Sequence, residues 1–128
     1  MKNLQLFAKE YQKEMQWDID TSSYERSRAS LLNNFMLLTT EVSEVAEELR
    51  QVFNLTNKYI VDGMDEEKAF KIAMEKAQEN LGKEFADCLA YICKIANFFE
   101  VDLETSFYSK MEEVKNRKNK DIRLIYKK

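Results

Sequence analysis

Histidine and proline are both absent from this chain of 128 residues, and only two glycines occur, Gly63 and Gly82. Without an imidazole there can be no His-ligated zinc site, no Ser-His-Asp triad and no Glu-x-x-His pairs of the kind that hold two irons in a helical bundle. Hydrolytic chemistry, if present, has to rest on carboxylates, a metal ion and bound water. The scarcity of turn residues argues against strands, which need frequent punctuation. Long helices with few connections are expected, and the length suits one domain over residues 1–128.

Cysteine is sparse as well. Cys88 and Cys93 lie five residues apart in an apolar helical stretch, which turns them about 140° from one another and prevents a shared metal or bridge. Reduced thiols in a cytoplasmic protein are the corresponding expectation. No hydrophobic run is long enough to span a membrane, and Met1 to Trp17 mixes charged and apolar residues as a secretory leader does not. The net charge of −3 argues against a stable nucleic-acid complex, which usually needs a basic face. The stretch from Lys115 to Lys128 is the basic exception, and reads as a solvated end or as a face toward phosphates.

The apolar pattern then sets out an antiparallel helical bundle of four to five helices. Leu4, Phe7, Tyr11 and Met15 give a first amphipathic helix reaching Trp17, followed by a polar loop from Asp18 to Ser23. A second helix from Tyr24 or Arg26 carries Leu31, Phe35, Leu38, Val42, Val45, Leu49 and Val52 as one stripe. Asp62-Gly63 is a turn, and Asp65 caps a third helix with Glu66 and Glu67 in its first turn. Phe70, Ala73, Met74 and Ala77 form its buried side, and Gly82 either ends it or lies within a longer helix. Leu81 to Phe99 makes the fourth helix. The last, from Glu104 toward Arg117, is tied to the core by Val101, Leu103, Phe107 and Met111.

Two acidic pairs stand out on this frame, Glu41-x-x-Glu44 and Glu84-x-x-Asp87. Acids three apart share one helix face. With Val42 and Phe85 as the core directions, both pairs fall about 100° and 160° to the same side. Equal offsets of one hand converge if the two helices pack antiparallel, and diverge if they pack parallel. Converging carboxylates repel, and a cation relieves the repulsion. An all-oxygen donor set favours Mg²⁺, with Mn²⁺ as a substitute. Isolated acidic pairs are commonly solvated faces; it is the matched offset that raises these above that reading.

The run Leu38-Thr39-Thr40-Glu41-Val42-Ser43-Glu44-Val45-Ala46-Glu47-Glu48, with the later run from Lys83 to Tyr91, resembles the MazG-like nucleotide pyrophosphohydrolases, also called all-α NTP pyrophosphatases. The likeness continues through Val101 to Glu104 and Lys110-Met111. It implies Mg²⁺-dependent cleavage of a nucleoside triphosphate between the α and β phosphates, giving monophosphate and pyrophosphate. Glu41, Glu44, Glu84 and Asp87 match the family's metal-binding positions, with Glu44 or Glu41 handling the attacking water. A homo-oligomer, dimer or dimer of dimers, is implied too.

Two features depart from the family pattern. The acidic pairs are about forty residues apart, with an additional helix expected over Asp65 to Asn80. Where the family places an asparagine four residues after its lysine, Lys110 is followed by Val114, and Asn116 and Arg117 come slightly later. Lys110 and Arg117 share a face and can flank a triphosphate, or form an ordinary exposed basic surface. Trp17 and Tyr91 are candidates to stack on a base, or core residues; Asn34, near the acidic stripe, can read a base edge. The rival class is a non-catalytic helical interaction or nucleotide-sensing module.

Overall fold

Three of the four helices among the described residues begin where the sequence offers a side-chain oxygen to the exposed amides of the first turn. The computed structural model describes residues 1–117, in which α1 spans Lys2–Glu14, α2 Tyr24–Val61, α3 Glu66–Phe98 and α4 Leu103–Lys115. Ser23, Asp65 and Asp102 cap α2, α3 and α4, accepting from the backbone N–H of Arg26, Lys68 and Thr105. The part of the basic stretch from Lys118 to Lys128 lies outside the described residues.

The α2–α3 hairpin dominates the molecule. The chain reverses through Asp62 to Asp65, where Gly63 takes a left-handed φ of 99° that glycine adopts without steric cost. Gly82 does not end a helix. The stretch from Asp65 to Asn80, expected as a separate helix, becomes the first half of α3 and extends the hairpin beyond the acidic segment. Helix propensity explains the continuity, since glycine costs only about 1 kcal/mol in a helix interior and good helix formers lie on both sides.

The residues of α2 that turn toward α3 are Leu31, Asn34, Leu38, Glu41, Val45, Glu48, Val52, Leu55 and Tyr59, all buried or partly buried. Their alternation of three and four is the spacing of a coiled-coil seam. On α3 the matching line is Ala77, Leu81, Glu84, Cys88, Tyr91, Ile95 and Phe98. The seam shares Leu31, Leu38, Val45 and Val52 with the expected stripe, but Asn34, Glu41 and Glu48 replace Phe35, Val42 and Leu49. Those three apolar residues are exposed instead, Val42 at 55%. Toward the turn, Val52 packs with Ala73 and Ala77, flanked by Leu55 and Leu81. Ala69 is also buried, whereas Phe70 and Met74, expected inside, face outward.

Helix α1 lies against α3 with its glutamines inward. Gln5 donates through Nε2 to the Val101 carbonyl and accepts the Leu103 amide at 3.0 Å, and Gln12 donates to the Ala90 carbonyl at 3.0 Å. Gln5 thereby secures the chain where Glu100 takes a left-handed φ of 56°. The expected apolar face of this helix, Leu4, Phe7, Tyr11 and Met15, is exposed. The helix also stops at Glu14, short of Trp17, with Gln16 in a left-handed conformation. Val101 before α4, and Phe107 and Met111 on it, remain exposed rather than filling a core.

Candidate metal centre

The seam brings Glu41 of α2 against Glu84 and Asp87 of α3. One carboxylate oxygen from each lies within 4.8 Å of the others, with Glu41 and Glu84 partly buried and Asp87 exposed. Oxygens on opposite sides of a magnesium ion sit about 4.2 Å apart, twice the usual Mg–O distance. Small side-chain rotations would close this trio on such an ion. Three hard oxygen donors with neither nitrogen nor sulfur among them fit Mg²⁺ or Mn²⁺.

The electrostatics agree with that fit. Glu41 is pushed above the ordinary glutamate range, first by partial loss of water and then by the charges of Asp87 and Glu44. A proton shared with Asp87 would raise it further. Glu84 is raised by the same loss of water, then by Asp87, Glu44, Glu41 and Glu48. In the absence of a cation, Glu41 and Glu84 hold protons more tightly than free carboxylates would. Cys88, on the same seam, has its thiol raised by burial and then by the nearby carboxylates, so it is not a reactive thiolate. Cys93 faces elsewhere, buried, and both cysteines are free.

Convergence was legible in the sequence, but the axes used to find it were rotated. Val42 and Phe85, taken as core directions, are exposed, Phe85 at 51%. Glu41 and Glu84 point into the seam in their place. Both references were off by one residue in the same sense, so the relative placement of the acids survived. Glu44 lies on the Asp87 side of the hairpin, exposed and outside the tight trio. Glu48, which the helical offsets place between Glu41 and Glu44, is partly buried on the seam seven residues after Glu41 and adds its charge to those raising Glu84.

The other candidates are dispersed. Tyr91 lies in the seam one turn beyond Asp87, with the Lys94 ammonium 5.8 Å from its ring centre. Asn34 is 5% exposed. It donates to the Ser30 carbonyl at 2.7 Å, and its Oδ1 has no partner among the described residues. Trp17 is exposed and packs edge-on against Tyr11. Lys110 and Arg117 both pair with Glu113 on α4, and Asn116 donates to the Glu112 carbonyl. Lys110 also lines an apolar groove with Leu89 and Ile92, which lies on the opposite flank of α3 from Asp87.

A long helical hairpin with an acidic trio across its seam defines an all-α protein equipped with a candidate divalent-cation site. The chain belongs to the MazG nucleotide pyrophosphohydrolase family, whose domain profile matches residues 29–121 and so covers both acidic pairs and α4. Comparison with curated proteins and with solved structures gave no match.

Proposed function

We propose that the protein hydrolyses nucleoside triphosphates, deoxynucleotides among them, between the α and β phosphates, releasing monophosphate and pyrophosphate in nucleotide-pool house-cleaning in the cytoplasm. The observation that carries this reading is the trio Glu41, Glu84 and Asp87, drawn from two helices and inside the segment that matches the family. Magnesium, or manganese in its place, would be held by these carboxylates with Glu44 beside them, and would neutralise phosphate oxygens and acidify a bound water.

The protein's own groups divide the remaining work. Glu41, Glu84 and Asp87 are committed to each other and to the cation. Glu44, one turn from Glu41 and outside the trio, is the carboxylate left to take the proton of the attacking water. The half-buried seam limits competing solvent around the trio. Chromatography of the products tests this directly: Mg²⁺-dependent monophosphate and pyrophosphate support it, whereas diphosphate with inorganic phosphate contradicts the cleavage position.

The acting unit is proposed to be a homodimer or dimer of dimers. Phe35, Val42 and Leu49 on α2 and Phe85, Leu89 and Ile92 on α3 are exposed on one flank of the hairpin, opposite Glu44 and Asp87. A contiguous apolar flank of this kind marks an association surface, and a second hairpin would complete a four-helix bundle. Light scattering that finds a monomer at micromolar concentration would remove this part. None of the described helices is long and apolar enough to cross a membrane.

A further inference from the structure

A second cavity lies on the same flank as Asp87, farther along α3. It has a volume of about 300 Å³ and is bounded by α1, the 18–21 loop and the end of α3. Lys9, Lys13 and Lys94 line it together with Gln12, Thr21 and Asn97. Lys94 is partly buried, and none of the three lysines makes an ion pair among the described residues. The amide groups are already engaged: Gln12 donates to Ala90 and Asn97 donates to the Gln5 carbonyl at 3.1 Å. The charged donors still available are the ammonium groups, and they call for an anion. Asp18 and Glu100 also line the cavity, so three positive and two negative groups leave one net positive charge.

Position links this cavity to the acidic trio. Asp87 and Lys94 are seven residues apart, two turns of one helix, which puts them on the same side and about 10 Å apart along the axis. A triphosphate chain and a lysine arm together cover that distance.

We infer that Lys94, with Lys13 and Lys9, receives the β and γ phosphates of the substrate, making this cavity the seat of the pyrophosphate leaving group. The inference rests on the proposed pyrophosphohydrolase reading. Lys94 is suited to the role because burial has already stripped much of its water, which lowers its pKa against a smaller opposing effect of Asp18. An arriving phosphate meets an ammonium that is only partly hydrated, so contact displaces less solvent. Lys94 acts by binding the departing group, and the carboxylates carry the hydrolysis.

The test compares the parent with Lys94→Met and Lys94→Arg. Inhibition by magnesium pyrophosphate, inhibition by nucleoside monophosphate and the KM for triphosphate are measured, with thermal melts to verify folding. Lys94→Met should weaken pyrophosphate inhibition and raise KM by about tenfold or more, as expected for losing a charge-assisted contact. Monophosphate inhibition should stay within about twofold, and Lys94→Arg should recover most of the loss. Unchanged pyrophosphate inhibition would overturn the inference, and so would an equal loss of monophosphate inhibition, which would assign the cavity to the nucleoside end. If the parent shows no turnover, the catalytic reading falls, and calorimetric titration with magnesium pyrophosphate still decides the cavity. Equal binding by parent and Lys94→Met would then refute it.

Discussion

The two halves of the α2–α3 hairpin use one seam spacing for opposite ends. Near the turn, Val52 meets Ala73 and Ala77, small apolar residues that let the helices approach closely. Toward the open end, Glu41, Glu84 and Asp87 occupy the equivalent level and repel one another. The first half favours folding, and the second imposes a charge cluster that the first must hold in place. Apolar packing and the acidic cluster are therefore separated along a single pair of helices, and substitutions should divide accordingly.

The largest effect is expected at the acidic end. Glu41→Gln should reduce turnover by about a hundredfold or more, in the range lost when a group stabilising the transition state is removed. The metal-free variant should melt at or above the parent's temperature, because one of the repelling charges is gone. Magnesium should raise the parent's melting temperature more than the variant's. Full turnover together with an unchanged magnesium response would show that Glu41 is no ligand.

Ala73→Leu makes the converse experiment at the apolar half. Overfilling this site, which is 1% exposed, should cost about 1–3 kcal/mol by denaturant unfolding. Magnesium affinity per folded molecule should hardly change, since the trio lies several turns away. A large loss of magnesium affinity without a loss of stability would mean that the two halves are not separable.

Acidity supplies a subtler comparison. Glu41 and Glu84 have raised pKa values in the folded protein, so the folded state binds protons more tightly there than the unfolded chain does. Their contribution is most favourable below the ordinary glutamate value and is lost as pH rises through the raised one. Metal-free protein should gain stability as pH falls from neutral toward that ordinary value. Asp20 and Asp102 have the opposite sign, lowered chiefly by hydrogen bonds from the Ser22 side chain and the Thr105 backbone. Their contribution is present above the ordinary aspartate pKa and disappears as pH drops through the lowered values. A melting series in EDTA should therefore show a maximum in mild acid, and saturating magnesium should flatten the rise leading to it. A monotonic decline from neutral pH would contradict the assigned shifts.

The smallest effect is expected at Gly82. A Cβ there meets nothing within 4 Å, so Gly82→Ala should stabilise the continuous helix by up to about 1 kcal/mol. A destabilised variant with weaker self-association would instead place this position in the contact between subunits.

Helix existence was readable because capping residues and apolar spacing agree, as at Asp65 and along Leu31 to Val52. The direction of burial was not. An apolar criterion selects Phe35, Val42 and Leu49 over Asn34, Glu41 and Glu48, yet the hairpin turns the polar set inward. One sequence cannot reveal that α2 turns one face toward α3 and leaves the apolar face of Phe35, Val42 and Leu49 exposed. For the same reason, the glutamine face of α1 was hidden behind Leu4 and Phe7. The acidic pairs remained visible because a shared rotation of both helices preserves their relation. Lys94 gave no comparable signal, since its meaning depends on a loop and a helix more than seventy residues earlier in the chain.

The reversal at Gly63 has a consequence for register. Apolar residues spaced by three and four would pack nearly as well after a slip of seven residues, because Leu31, Leu38, Val45 and Val52 repeat at that interval. The acids would not, since Glu41 meets both Glu84 and Asp87 at one alignment. The short connection from Asp62 to Asp65 fixes that alignment, about 30 Å along the helices from the carboxylates. A residue inserted at the turn would therefore act on a cluster it never touches, by moving one row of side chains past the other.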